Sequence, residues 1–162
     1  MRQHPLISRR KGVLIDANLL TVLIVGRLGS GEVEAFKRTR NFTTQDYEQI
    51  NELVGLFGSK CMTPHVLAEV SNLLDWLEPK RKQYAFSHLA EFAQAQREIF
   101  PPAAEIVATP IYFKLGITDA GLFQVAQQQP LVLLTADLPL YHYAAGRKLE
   151  AINFNHIREA WV

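Results

Sequence analysis

A single cysteine, Cys61, leaves this 162-residue chain without any internal disulfide and removes it from the disulfide-framed small secreted domains. Long apolar runs are missing too. A membrane-spanning helix needs about 18–20 consecutive apolar residues, and the longest candidate, Leu19 to Val25, is far shorter. Arg9, Arg10 and Lys11 make a basic start, but neither the apolar stretch nor the small-residue cleavage site of a secretory signal follows them. These absences give the expectation of a protein of the reducing cytoplasm that does not enter a membrane. A surplus of either charge is also lacking, with 17 Lys and Arg against 16 Asp and Glu, for a net charge of +1. That balance neither marks nor excludes a polyanionic partner, because acids gathered at one place leave the remaining surface more basic than the sum. No repeat, low-complexity tract or linker interrupts the chain. With 48% hydrophobic and 20% charged residues, it reads as one globular domain over residues 1–162, its core spanning about 12–154.

Gly12-Val-Leu-Ile15 is a short apolar run ending at Asp16, followed by Leu19, Leu20, Leu23 and Ile24, which predicts a buried strand and then a helix. Thr43-Thr-Gln-Asp46 has the form of a capping box. The helix it opens carries Tyr47, Ile50, Val54 and Phe57 on one stripe and stops at Gly58. A second strand is expected over Lys60–Thr63. Pro64 then suits the first position of a helix whose apolar face is Val66, Val70, Leu73, Leu74 and Leu77 and which ends near Pro79. Residues 80–100 predict another helix, and Thr118 the N-cap of one that runs to about Gln128. Leu131-Val-Leu-Leu-Thr135 is the strongest strand pattern, a short helix is expected around Tyr141–Ala145, and Ala151–Phe154 is read as a last strand. Strands alternating with helices imply an α/β fold with a mainly parallel central sheet and helices on both faces.

Ligands of open parallel sheets bind beyond the carboxyl ends of the strands. Asp16 directly follows the first strand and Asp137 lies two residues past the 131–135 strand. Either one alone also fits a helix N-cap. Two helical acids add to them. At about 100° per residue, Glu69 falls on the edge of the apolar stripe of its helix, whereas Asp75 faces away. Asp119 shares its stripe with Leu122 and Ala126. An ionised carboxylate there costs several kcal/mol without compensation, and a helix N-terminus returns only roughly 0.3–1 kcal/mol. A bound cation would compensate fully. Four oxygen donors, without a histidine pair or second cysteine, suit Mg²⁺ or Mn²⁺ rather than zinc. Thr135 and Asn18 are placed to hydrogen-bond the acids, metal-bound water or phosphate.

The segments "VLIDANLL" around Asp16, "TPHVLAEVSNLL" around Glu69, "GITDAGLFQVA" around Asp119 and "LVLLTAD" ending at Asp137 together resemble the PIN-domain family, and within it the VapC-like toxins. The resemblance runs from about Gly12 to Phe154. It implies a Rossmann-like α/β/α sandwich and a Mg²⁺- or Mn²⁺-dependent endoribonuclease that hydrolyses RNA phosphodiesters with metal-activated water. Asp16, Glu69, Asp119 and Asp137 would hold the metal, and Thr135 would assist. It further implies a homodimer and, for a toxin member of a toxin–antitoxin pair, a small antitoxin protein as partner. Two features depart from the pattern: a long polar segment before Thr43, and Gly121 inside the Asp119 helix, a residue that costs about 0.5–1 kcal/mol relative to alanine.

Arg38, Arg40 and His65 are candidates for contact with RNA, as is Lys80-Arg81-Lys82. The plainer readings are solvated surface for the cations and an ordinary helix-terminal residue for His65. Cys61 reads as a small buried hydrophobe, and Tyr112 and Trp76 as core rather than base-stacking residues. The alternative function is a catalytically silent PIN fold that binds RNA or protein, for which four convergent carboxylates would be superfluous. A phosphohydrolase of small phosphoesters usually carries Asp-x-Asp after its first strand, and position 18 is asparagine here.

Overall fold

A computed structural model of the chain describes residues 4–160. Its strands are β1 (Gly12–Ile15), β2 (Ser59–Met62), β3 (Arg97–Glu98), β4 (Leu131–Thr135) and β5 (Ala151–Asn153). All pair in parallel, in the order β3-β2-β1-β4-β5. The helices are α1 (Ala17–Gly26), α2 (Glu32–Ala35), α3 (Thr44–Gly55), α4 (Pro64–Leu74), α5 (Pro79–Ala95), α6 (Ala103–Ile106), α7 (Pro110–Leu115), α8 (Ile117–Gln128), α9 (Leu138–Gly146) and α10 (Phe154–Glu159). They flank the sheet to give a Rossmann-like α/β/α sandwich, the fold class that the strand–helix alternation predicts. No helix among the described residues is long and apolar enough to cross a membrane.

The central strands have no polar face. Every residue of β1 and β4 is buried, as expected of strands covered by helices on both sides. Strand order runs outward in one direction from β1 through β2 and β3, and in the other through β4 and β5. The reversal falls between β1 and β4, the crevice where such sheets bind ligands.

Local chemistry accounts for most boundaries. Thr43 caps α3 in a complete capping box with Asp46, and Pro64 opens α4 behind the Thr63 cap. Several expectations need correction. Helix α4 stops at Leu74, not near Pro79, and α5 ends at Ala95, after which Arg97–Glu98 form an edge strand. Thr118 lies inside α8. The cap position belongs to Gly116, whose φ of 85° is a left-handed conformation that glycine adopts without strain. The chain after β5 turns into α10 at Phe154. A half-buried ion pair holds that helix: Arg158 Nη2 lies 2.5 Å from Asp46 Oδ2, and Nε donates to Oδ1 at 3.1 Å.

Gly121 also has a structural reason. A Cβ there would meet Ile106 Cδ1 at 3.2 Å and Pro101 Cγ at 3.5 Å. The glycine lets the 101–106 segment approach α8 closely, which offsets its poor helix propensity.

Candidate metal centre

Register places the centre. Ile15 pairs with Leu134, so the next residues, Asp16 and Thr135, leave β1 and β4 side by side at the strand-order reversal. Asp16 is 3% exposed and Thr135 fully buried. The Leu19 N–H donates to Asp16 Oδ1 at 2.9 Å, which caps α1, while the Ala136 N–H donates to Oδ2 at 3.1 Å. The Thr135 hydroxyl donates to the same Oδ2. It also accepts the Asp137 N–H at 2.9 Å. Asp137 in turn caps α9, accepting the Leu140 N–H on Oδ1 at 2.8 Å. The two readings of Asp16 and Asp137, cap and strand-end acid, are thus both correct: capping is what fixes each carboxylate at the end of the sheet.

Asp119 stands in the first turn of α8, half-buried. Its carboxyl is pushed up to about 7, first by burial and then by the charges of Asp137, Asp16 and Glu69. Burial is also the main cause that pushes Asp16 up to about 6, against the lowering effect of its three hydrogen bonds. The charges of the other three sequence-selected acids are thus felt at Asp119. Among the described residues none of the four is ion-paired to a lysine, arginine or histidine. Glu69 is exposed, a correction to its expected half-burial. Because α4 is only 11 residues long, its fully buried stripe narrows to Val66, Val70 and Leu74.

Among the described residues, no group of three or more His, Cys, Asp or Glu side chains is placed closely enough to hold a metal ion as it stands. The donor set nonetheless fits a hard cation. All four donors are carboxylates, and their mutual repulsion is what a divalent ion relieves. Asp16 and Asp137 are fixed by their caps. Asp119 and Glu69 accept no hydrogen bond from the described residues.

Two residues that the sequence reading passed over support this end of the sheet. Asn155 Nδ2 donates to Ala136 O at 3.0 Å, and its N–H donates to Asn153 Oδ1 at 3.0 Å. Asn153 pairs in register with Thr135, so this link steadies the turn carrying Ala136 and Asp137. The signal was available as an asparagine pair where a strand passes into a helix. Asn18 is exposed and makes no side-chain hydrogen bond among the described residues.

The remaining candidates are more scattered. Arg38 and Arg40 are exposed. The Arg38 guanidinium lies 4.7 Å from the centre of the Trp76 ring, and no described contact joins either arginine to the carboxylates. His65 faces inward, its Nδ1 buried without a partner and close to Gly121 on α8. Arg81 pairs with Glu32 and Glu78, and Lys82 with Asp75, as solvated surface would. Trp76 is 70% exposed, which overturns its assignment to the core; Tyr112 is half-buried. Cys61 is fully buried, with its thiol pushed up by that burial, so it is the small hydrophobe expected.

No protein-family model and no curated protein matches the chain. Among solved structures, the crystal structure of PAE2754 from Pyrobaculum aerophilum is similar, with a TM-score of 0.59 over 91% of this chain and 92% of that one. Sequence identity is 19%, so the likeness is one of fold: the α/β/α architecture is shared along nearly the whole of both chains.

Proposed function

We propose that this protein is a PIN-like endoribonuclease dependent on Mg²⁺ or Mn²⁺, with Asp16, Glu69, Asp119 and Asp137 as the residues that hold the ion. The observation that carries the reading is the raised carboxyl of Asp119. Burial and three neighbouring acids all disfavour its charge, and no cation among the described residues is paired with it. Such an arrangement is unfavourable as a structural feature, and perturbed acids of this kind gather at functional sites.

A divalent ion bound there would neutralise the acids and supply Lewis acidity toward water and a phosphodiester. The chain's own contribution is positional. Asp16 is held by three hydrogen bonds, and Thr135 fixes the spacing between Asp16 and Asp137. Asp119 and Glu69 complete the set from two helices packed against each other. A homodimer, a cytoplasmic location and a small antitoxin as partner belong to the same proposal.

The test is cleavage of labelled RNA by purified protein with Mn²⁺, with EDTA, and as the Asp16→Asn and Asp119→Asn variants. The proposal expects Mn²⁺-dependent cleavage by wild type that falls at least about 100-fold in each variant, the size of effect typical when a transition-state charge stabiliser is removed. Equal cleavage by wild type and both variants would mean a contaminating nuclease and end the assignment.

A further inference from the structure

The opposite end of the sheet carries a second charged feature of the other sign. A cleft of about 300 Å³ is lined by Arg9, Arg10, Lys11 and Arg97. Its floor is formed where β1, β2 and β4 begin, at Gly12, Ser59 and Leu131. These strands have four or five residues and rise about 3.3 Å per residue, so roughly 15 Å of sheet separates the cleft from the carboxylates.

Close backbone packing builds this cleft. The Gly58 N–H donates to Lys11 O at 2.9 Å, and a Cβ on Gly58 would sit 2.1 Å from Arg9 O. Glycine at 58 is therefore what lets the 9–11 segment lie against the start of β2. No acidic residue lines the cleft. Lys11 pairs with Glu150 at 2.9 Å, and Arg97 donates to the neutral Gln129 at 2.8 Å. Arg9 and Arg10 have no ion-pair partner among the described residues. With Lys11 offset by Glu150, the three arginines around one concavity are still a concentrated positive field in a chain of net charge +1. Arginine is suited to phosphate because its planar fork binds two oxygens at once and sheds water readily.

We infer that this cleft is a phosphate-binding site, which takes either the backbone of a nucleic-acid strand or the phosphates of a small anion. It stands independently of the carboxylate centre and needs no metal.

The experiment uses the full chain in EDTA. Binding of a fluorescein-labelled 12-nucleotide RNA is followed by anisotropy between 50 and 200 mM salt, and binding of inorganic pyrophosphate by calorimetry. Wild type is compared with Arg9→Gln/Arg10→Gln, whose side chains pair with no other group among the described residues and whose folding is checked by thermal unfolding. A control carries Arg27→Gln/Lys37→Gln, which removes the same charge away from the cleft. The expected result is about a tenfold loss of affinity in the arginine variant alone, with the slope of log K against log salt shallower by about 1.4 for RNA. A loss confined to RNA assigns the site to strand backbone, and one confined to pyrophosphate to a small anion. Equal binding by wild type and the arginine variant, an equal loss in the control, or no binding of either probe by wild type would overturn the inference.

Discussion

Thr135 donates its hydroxyl to Asp16 Oδ2 across the β1–β4 boundary, and the Thr135 hydroxyl oxygen accepts the Asp137 N–H. One buried side chain thereby sets the relation between two of the four acids. Thr135→Val keeps the shape but leaves the Asp137 N–H without its partner and removes a donor from Asp16. The expected cost is about 1–3 kcal/mol, measured by urea unfolding. Cleavage should fall much further than stability, and Thr135→Ser should restore both.

The pH dependence of the metal-free protein follows from Asp16 and Asp119. Both carboxyls titrate higher in the folded chain, at about 6 and about 7, than the ordinary 3.8. Between these values the folded chain binds more protons than the unfolded one. Stability from these groups is therefore full below about pH 4 and is lost as pH rises through about 6 to 7. In EDTA Asp119→Asn should be more stable to urea unfolding than wild type at pH 8, by about 1–2 kcal/mol after solvent screening. The difference should vanish near pH 4, and it should reverse at pH 8 when Mn²⁺ is added.

Asp46 and Arg158 join α3 to α10, and the guanidinium also lies 5.0 Å from the Phe42 ring centre and 5.6 Å from that of Phe154. Asp46 is 6% exposed. Arg158→Met would strand a buried carboxylate and should cost about 3–5 kcal/mol in urea unfolding. Because the pair is remote in sequence from the four acids and shares no hydrogen bond with them, Mn²⁺ affinity of the folded variant should stay within about twofold of wild type, an effect below roughly 0.5 kcal/mol.

Two glycines should respond in opposite directions. Gly55→Ala places a methyl in open space at the end of α3 and should stabilise by up to about 1 kcal/mol. Gly58→Ala drives its methyl into the Arg9 carbonyl and should destabilise by about 1–3 kcal/mol. Thermal unfolding of the two variants measures both.

The parts of this fold legible in sequence were those where one physical signal dominates. Continuous apolar runs marked β1 and β4, and cap chemistry marked the starts of α3 and α4. The acids at the two strand ends followed from those strands. Weak signals failed where tertiary pairing decides the outcome. Arg97 and Glu98 carry no strand pattern and become β3 by pairing with Cys61 and Met62 at the sheet edge. Phe154 looks like a strand residue, but the Asn153 side chain accepts the Asn155 N–H and turns the chain into α10. Glu69 was placed by a stripe drawn over too long a helix. Asp119 was read from its buried companions, and its half-buried, charge-crowded setting agrees with that reasoning.

The central claim is that the four acids serve one cation. Calorimetric titration of Mn²⁺ into metal-free protein at pH 6 and pH 8 addresses it directly. The account expects binding that strengthens from pH 6 to pH 8, as protons on Asp16 and Asp119 cease to compete, and that weakens at least about tenfold in Asp119→Asn and Glu69→Gln alike. Wild-type affinity retained in both variants would contradict it.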